Sequence, residues 1–447
     1  MHSKKEIPHK AWIVTVDMGY GHQRAADPLD YLAEGGIISA NNYPGIPKGD
    51  RDIWLHSKDF YEAISRFKKV PWLGDKVFSL YDKFQAIPKF YPKRDLSKAN
   101  VPLKQFYRLF KDKDWGKDLI SKLSKKPYPI VTTFFVTAFM AEYFGYEGEI
   151  YCLATDTDIS RTWVPLKPKE SKIMYLAPNR RVLERLTLYG VDPSKIFLTG
   201  FPLPEENIGD KLKVVKSDLG KRLINLDPDK FYISKYESTI RHHLGKEFVK
   251  TKTKPLSITF AVGGAGAQRE LGGTIMTSLK KEIKDKRVIM NMIAGTHPAV
   301  NKYFKDVAKS IGLGNRIGNG VNVLFDRNKR SYFSKFNSVL RNTDILWTKP
   351  SELSFYCALG IPIIMAPPIG SQELFNQKWL RTIGAGVNQE NPKYVNEWLE
   401  DWLQSGWLAE AAMQGFLEAP KFGTYNIDKI IFHRYKEAKE FETVLQY

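Results

Sequence analysis

WIVTVDMGYGHQRAA, residues 12–26, contains an apolar run that ends at Asp17, then two glycines, then a segment with helical character after His22. This order predicts a β-strand, a tight turn and an α-helix. Glycine lets the backbone of such a turn approach a ligand, and the helix start offers N–H groups and a positive dipole end to an anion. The stretch therefore predicts a ligand-binding turn around Gly19 and Gly21, with His22 placed where it can take part in chemistry. The alternative is a structural turn with a hydrogen-bonded histidine.

The second half of the chain opens in the same way. Residues 256–262, LSITFAV, predict a strand, and a glycine-rich turn and a helix follow it. Two such units about 240 residues apart predict an α/β protein with two Rossmann-like domains facing a cleft. In this fold, ligands lie at the carboxyl ends of the strands.

Composition narrows the class of protein. The chain has 447 residues, of which 43% are hydrophobic, enough for two domain cores. Cys152 and Cys357 lie far apart in apolar runs, which predicts buried thiols and a reducing compartment. The longest uncharged stretches, 127–141 and 353–372, are too short or too broken by Gly and Pro to span a bilayer. We expect a cytoplasmic protein, peripheral to the inner face of the membrane where it meets lipid, with no metal site.

The net charge of +19 is unevenly distributed. Residues 51–126 hold 19 Lys and Arg against 9 Asp and Glu, interleaved with aromatic residues. Helical apolar spacing, interrupted by Pro71, Pro88, Pro92 and Pro102, predicts an insertion of short helices in the first domain. Such a composition is typical of a surface that binds anionic lipid or nucleic acid, and a solvated basic face over an aromatic core is the alternative. Because no nucleic-acid-binding motif is present, we expect no nucleic-acid partner.

A third informative stretch is TDILWTKPSELSFYCALGIPIIMAPPIGSQELFNQKWL, residues 343–380. It predicts a strand, a turn, a helix that ends at Gly360, a second strand and a second turn. A helix that starts after Pro350 directs N–H groups toward a diphosphate or ribose, and Glu352 in its first turn can accept hydrogen bonds from a ribose diol. The second turn presents Gln372 and Glu373 side by side, which suits sugar hydroxyls.

Together these stretches resemble the GT-B glycosyltransferases that include monogalactosyldiacylglycerol synthase, diacylglycerol glucosyltransferase and the lipid II N-acetylglucosaminyltransferase. The N-terminal signature of that group reads roughly Asp-x-Gly-Gly-Gly-His-Arg-x-Ala. The matching residues here are Asp17, Gly19, Tyr20, Gly21, His22, Gln23, Arg24 and Ala25. Tyr20 replaces the middle glycine, and Gln23 precedes the arginine. The run GVDPSKIFLTGFPLP, residues 190–204, resembles the connection that leaves the N-terminal domain in the same group.

The donor-binding signature matches in one part and departs in another. Its Pro-Gly-Gln-Glu-x-x-Asn turn is similar to residues 368–376, with Ser371 as an extra residue. In the family, the ribose-binding glutamate sits about five residues before the helix-ending glycine. Phe355 occupies that position here, and the nearest carboxylate, Glu352, lies about one helical turn earlier. Either Glu352 takes this role from a shifted backbone or the nucleotide site is altered.

The resemblance implies a metal-independent, inverting glycosyltransferase that moves a sugar from a UDP-sugar to a hydroxyl acceptor, with a lipid as the suggested acceptor and no cofactor beyond the donor. His22 or Asp17 would deprotonate the acceptor. The expected donor-binding residues are Gly19, Gly21, Gly263, Gly264, Gly266, Gln268, Lys349, Ser351, Glu352, Gln372, Glu373 and Asn376. Asp156 and His297 are either cleft residues or turn residues. The alternatives are a non-catalytic nucleotide-sugar-binding protein and a UDP-sugar epimerase-like enzyme.

The same resemblance predicts the domain organisation. Residues 1–204 form the acceptor domain, with the insertion at about 51–126, and residues 255–420 form the donor domain. The lysine-rich segment 205–254 has no clear strand and is interpreted as the connection between the domains. Residues 421–447 are expected to form a helix that packs back toward the N-terminal domain. Trp398 and Trp402 share a helix face, which also fits a simple core stripe.

Overall fold

A computed structural model describes residues 10–55, 86–245, 248, 254–261 and 268–432. Their contacts divide the chain into two compact units. One unit extends to Pro202 and includes the C-terminal segment from Phe422, and the other is Leu203–Lys421. The glycines Gly263, Gly264 and Gly266 and much of the predicted insertion lie outside the described residues.

The first unit contains a six-stranded parallel sheet with the order β2-β1-β3-β4-β5-β6. Its strands are β1 Trp12–Thr15, β2 Ile38–Ser39, β3 Ile130–Thr132, β4 Ile150–Leu153, β5 Met174–Ala177 and β6 Ile196–Leu198. Parallel strands are covered on both faces, and for this reason they read as continuous apolar runs rather than alternating ones. All four residues of β4, for example, are buried.

The second unit contains another six-stranded parallel sheet, with the order β12-β11-β10-β7-β8-β9. Its strands are β7 Leu256–Ala261, β8 Val288–Gly295, β9 Val321–Phe325, β10 Ile345–Thr348, β11 Ile363–Met365 and β12 Gly386–Asn388. Counted within this unit, the order is 6-5-4-1-2-3, which is the strand order of dinucleotide-binding Rossmann folds. The predicted α/β architecture with two Rossmann-like domains is therefore confirmed.

Helices connect the strands of both sheets. The α-helices described are α1 Tyr20–Ala26, α2 Val101–Lys113, α3 Lys117–Leu123, α4 Phe135–Tyr143, α5 Arg180–Leu188, α6 Glu205–Ile208, α7 Lys213–Leu226, α8 Phe231–Leu244, α9 Arg269–Ser278, α10 Lys280–Lys284, α11 Pro298–Ser310, α12 Lys329–Arg341, α13 Ser371–Thr382, α14 Val395–Gln404, α15 Trp407–Glu418 and α16 Gly423–Ile431. The 3₁₀-helices are Asp27–Leu32, Arg161–Trp163, Pro193–Lys195, Asp210–Leu212, Gly314–Arg316, Glu352–Leu359 and Pro392–Tyr394. The Asn179 side chain caps α5 by accepting the Val182 N–H at 2.9 Å, as its position before the helix predicts.

Residues 205–254, interpreted from sequence as a connection, carry helices α6 to α8 of the second unit. The buried Arg222 on α7 donates hydrogen bonds to the carbonyl oxygens of Thr343, Leu359 and Gly360 at 2.6, 2.9 and 2.9 Å. Burial lowers the pKa of this guanidinium. Composition could not reveal this role, because a lysine-rich segment does not indicate that Arg222 is buried and bonded to backbone carbonyl oxygens.

The C-terminal helices lie in different units. On α14, Trp398 and Trp402 are buried, and Trp398 packs against Trp347 of β10 with ring centroids 5.4 Å apart. These two tryptophans therefore belong to the core of the second unit. Helix α16 lies in the first unit, where the Asn426 amide donates to the carbonyl oxygen of Thr199 at 2.8 Å.

Two further predictions concern the thiols and the membrane. Cys152 and Cys357 are free and fully buried, so the prediction of buried thiols is confirmed. Among the residues that the structure describes, no helix is both long enough and apolar enough to cross a bilayer.

Candidate functional site

The first candidate site lies at the carboxyl end of β1. From β1 the chain first goes to β2 on one side, and β3 then pairs with β1 on the other side, so the ends of β1 and β3 flank the switch point of this sheet. Ligands of open α/β sheets bind at such points. Gly19 has φ +103° and ψ 175°, a conformation accessible essentially only to glycine. Helix α1 starts at Tyr20, three residues earlier than the start after His22 that the sequence suggested, and it includes Gly21 and His22.

The His22 imidazole is fixed by the end of the neighbouring strand. Its Nδ1 lies 2.6 Å from the carbonyl oxygen of Thr133. A carbonyl oxygen can only accept, so Nδ1 carries the proton, and in the neutral ring Nε2 holds the lone pair. The ring also packs edge-on to Phe134 at 5.0 Å and lies 6.4 Å from the ring of Trp163. This arrangement is the one that a histidine needs to accept a proton at Nε2.

Asp17 is held by two amide side chains. The Gln23 Nε2 donates to the Asp17 carboxylate at 2.9 Å. The Asn41 side chain accepts the Asp17 N–H at 2.8 Å and donates to its carbonyl oxygen at 3.2 Å. Gln23, which departs from the family signature, thus has a structural role in the turn that contains Asp17.

Sequence reasoning missed four residues of this site: Asn41, Thr133, Phe134 and Trp163. The signal for two of them was the run TTFF at residues 132–135, directly after an apolar strand. The carboxyl ends of adjacent parallel strands lie at the same edge of a sheet. The TTFF run therefore indicates residues near His22 only once β3 is known to lie beside β1. Sequence spacing alone does not supply that order.

The second candidate site lies at the switch point of the other sheet, between β7 and β10. Ala261 and Thr348 are register partners, and the Thr348 hydroxyl donates to the Ala261 carbonyl oxygen at 3.2 Å. Lys349 follows Thr348 at this edge. Gln268 precedes α9 with φ +66°, and its Nε2 donates to the Pro367 carbonyl oxygen at 3.0 Å. Residues at both ends of the predicted glycine-rich turn are thus located beside the two loops that follow β10 and β11.

Three of the predicted donor-binding residues lie together at this edge. Lys349 forms an ion pair with Glu373. The other carboxylate oxygen of Glu373 accepts the Ile369 N–H at 2.7 Å. The buried Asn376 donates to the Pro350 carbonyl oxygen at 3.3 Å, which ties α13 to the turn after β10. Gln372 lies in the first turn of α13 and is half-buried.

The helix after Pro350 differs in type from the prediction. Glu352–Leu359 is a buried 3₁₀-helix of eight residues, and it ends at Gly360 with φ +65°. Residues three apart are eclipsed in a 3₁₀-helix. Glu352 therefore lies on the same face as Phe355, the position at which the family carries its ribose-binding glutamate. Ser351 is the half-buried residue that precedes this helix.

Asp156 and His297 both follow strands of their respective sheets. Asp156 lies after β4 and is half-buried. His297 is the residue before α11, and its carbonyl oxygen accepts the N–H groups of Val300 and Asn301 at 3.1 Å each. Their roles in ligand binding remain predictions. Within the described ranges, no group of three His, Cys, Asp or Glu side chains is arranged to hold a metal ion.

Comparison with known proteins agrees with the signatures quoted above. The chain is 24% identical over 417 residues to the processive diacylglycerol beta-glucosyltransferase of Bacillus pumilus, covering 91% of this chain and 89% of that protein. The chain resembles the GT-B glycosyltransferases. Residues 304–429 also match the family model described as a domain of unknown function, DUF6938.

Solved structures show more distant similarity. Acinetobacter baumannii MurG aligns with a TM-score of 0.47 at 12% identity, over 95% of this chain and 99% of that one. The UDP-GlcNAc 2-epimerase of Neisseria meningitidis, bound to UDP-GlcNAc, aligns with a TM-score of 0.43 at 14% identity, over 81% and 88% of the two chains. Both similarities are too distant to support a conclusion about function.

Proposed function

We propose that this protein is a glycosyltransferase that moves a sugar from a UDP-sugar to the hydroxyl group of a lipid acceptor, with inversion at the sugar carbon. The observation that carries the proposal is the contact between His22 and Thr133 at a strand switch point, which places the proton of the neutral ring on Nδ1 and the lone pair on Nε2. The sequence similarity to a diacylglycerol glucosyltransferase supports the same reaction class.

In the proposed reaction, the acceptor hydroxyl oxygen attacks the first carbon of the donor sugar. The bond from that carbon to the β-phosphate oxygen breaks, and UDP leaves. The hydroxyl proton passes to Nε2 of His22, which acts as the general base. Asp17 is held by Gln23 and Asn41, so we assign it a positioning role in the same turn.

The donor is proposed to bind at the edge of the second sheet. Lys349 and backbone N–H groups there would neutralise the leaving diphosphate, so that the transfer needs no metal ion. Gly19, Gly21, Gly263, Gly264, Gly266 and Gln268 are retained as proposed points of close approach to the ligand. Gln372, Glu373 and Asn376 would hold the sugar, and Ser351 and Glu352 the ribose.

Glu352 remains a suitable ribose ligand despite its shifted position. Because Glu352 and Phe355 share a face of the 3₁₀-helix, the carboxylate lies on the same side of the helix, one turn nearer its start. Phe355 itself packs on Trp379, with ring centroids 5.3 Å apart. We propose that the ribose binds one turn closer to Lys349 than it does in the family.

A lipid acceptor accounts for the basic face of the first unit. On α2, Lys104, Arg108 and Lys111 are exposed and spaced so that they form one stripe, while Leu103 and Phe110 are buried. A cationic stripe on an amphipathic helix suits an anionic membrane surface. We propose that this face holds the protein at the membrane that supplies the acceptor.

A second candidate is a protein that binds a nucleotide sugar without turnover. The absence of a glutamate at position 355 favours it, because the family places its ribose ligand there. A sugar-nucleotide epimerase-like activity is the other alternative, and it would release UDP without any acceptor.

One experiment separates these functions. Purified protein is incubated with radiolabelled UDP-sugars, with and without a membrane lipid extract. Sugar transfer to lipid together with lipid-dependent UDP release supports the proposal. UDP release without lipid supports the epimerase-like activity, and UDP binding without release supports the binding protein. No transfer and no UDP binding with any common donor contradicts all three.

A further inference from the structure

The Glu373 carboxylate binds two groups of the proposed donor site that are suited to bind an anionic ligand. Glu373 forms an ion pair with Lys349, and its second oxygen accepts the Ile369 N–H at 2.7 Å. The side chains of Lys349 and Glu373 are only 19% and 12% exposed. Salt screens a pair that is this shielded much less than it screens a surface pair.

A phosphate group of a ligand has the same requirements as this carboxylate. It carries negative charge, and it accepts hydrogen bonds from an ammonium group and from backbone N–H groups. In the chain without ligand, Glu373 thus already neutralises the cation that the proposed site uses for the diphosphate. A diphosphate gains the Lys349 ammonium only if it displaces the carboxylate or shares the ammonium with it.

We infer that Glu373 is a specificity-determining residue that selects against bare phosphate groups, an inference that rests on the proposed nucleotide-sugar site. A nucleotide sugar compensates for the lost ion pair because its sugar hydroxyls can donate to the displaced carboxylate. Free UDP lacks the hydroxyls of the transferred sugar and carries one more negative charge on its β-phosphate. Glu373 therefore weakens the binding of the product and promotes its release.

Isothermal titration of the full chain with UDP, and separately with inorganic pyrophosphate, tests this inference. Glu373→Gln removes the charge and keeps the side-chain shape, so we expect UDP and pyrophosphate to bind about tenfold more tightly, a change of about 1.4 kcal/mol. Glu400→Gln changes the net charge equally at an exposed position of α14. This control should bind both ligands as the wild type does.

The tighter binding of UDP in Glu373→Gln must depend on Lys349. We expect Lys349→Met to weaken UDP binding, and Lys349→Met/Glu373→Gln to bind UDP no more tightly than Lys349→Met alone. Glu373→Ala is a second variant that removes the same charge, and circular dichroism verifies the fold of each protein.

The outcomes separate the inference from the function on which it rests. If the wild type binds UDP and both Glu373 variants bind it equally or more weakly, the inference is wrong and the proposed donor site stands. A gain that persists without Lys349 also overturns the inference. If neither the wild type nor any variant binds UDP, the proposed function itself fails.

Discussion

Nδ1 of His22 and the carbonyl oxygen of Thr133 are 2.6 Å apart, although 111 positions separate the two residues in the chain. The contact joins the helix after β1 to the end of β3, the strand that pairs with β1. A backbone carbonyl cannot change its protonation state, so it fixes the imidazole tautomer more reliably than a titratable side chain would. The strand order of the sheet thus determines which nitrogen of His22 carries the proton in the neutral ring.

Asn41 is expected to stabilise the turn that carries Asp17. Asn41→Ala removes two hydrogen bonds to the main chain of Asp17, and we expect a loss on the order of 2 kcal/mol in the unfolding free energy of the first unit. Urea denaturation measures this loss. The matched control is Asn42→Ala, since Asn42 is exposed and adjacent. Equal stability of the two variants would show that the hydrogen bonds between Asn41 and Asp17 do not contribute to the unfolding free energy.

Gly360 ends the 3₁₀-helix in the left-handed conformation that favours glycine, and the Leu219 side chain lies close to it. It has φ +65°, and an added Cβ would lie 2.8 Å from Cδ1 of Leu219. Gly318 has φ +84° with no atom within 4 Å of an added Cβ. Both alanine variants incur backbone strain of about 1 to 2 kcal/mol. We expect Gly360→Ala to lose about 1 to 3 kcal/mol more of the unfolding free energy than Gly318→Ala, because of overpacking against Leu219. Chemical denaturation measures both losses. An equal loss in both variants would contradict the close contact with Leu219.

Lys421 is expected to give the second unit a stability that rises with pH. Its ammonium is buried, and burial lowers the pKa of Lys421 from its usual 10.5 to about 8. Between these pH values the unfolded chain binds more protons than the folded chain, so the unfolding free energy rises with pH by up to about 1.4 kcal/mol per unit. Below pH 8 both states are protonated, and this slope vanishes.

Denaturation between pH 7 and 10, followed by tryptophan fluorescence, measures this slope. Lys421→Met should abolish it, whereas Lys213→Met, at an exposed position of α7, should retain it. The Cys357 thiol interacts electrostatically with Lys421, but burial raises the pKa of Cys357 far above this range. A slope that survives in Lys421→Met would have to be assigned to another group.

The basic stripe on α2 is expected to bind anionic vesicles. Replacing Lys104, Arg108 and Lys111 with Gln removes three charges, each worth about 1 kcal/mol near an anionic surface. Cosedimentation with vesicles containing phosphatidylglycerol should therefore weaken at least tenfold. The matched control replaces Lys302, Lys305 and Lys309 of α11 with Gln. If both triple variants lose binding equally, the attraction comes from net charge rather than from this helix.

The sequence predicted β1, β7 and the helices that follow them well, because buried parallel strands are apolar along their whole length. Gly360 was likewise identified as a helix end. The 3₁₀ geometry of Glu352–Leu359 was not predictable, since all of its residues are buried and no apolar periodicity distinguishes the two helix types. The partners of His22 and the core role of Arg222 depend on contacts between distant residues, which local patterns do not contain.

The rate of acceptor-dependent UDP release, compared between wild type and His22→Gln, tests whether His22 is the general base. His242→Gln, at an exposed position of α8, is the matched control, and calorimetry with UDP checks donor binding in each protein. We predict that His22→Gln lowers kcat by about 10²- to 10⁴-fold with unchanged affinity for UDP, while His242→Gln retains full activity. Full activity in His22→Gln would rule out His22 as the general base, and UDP release at the same rate without any lipid would rule out lipid as the acceptor.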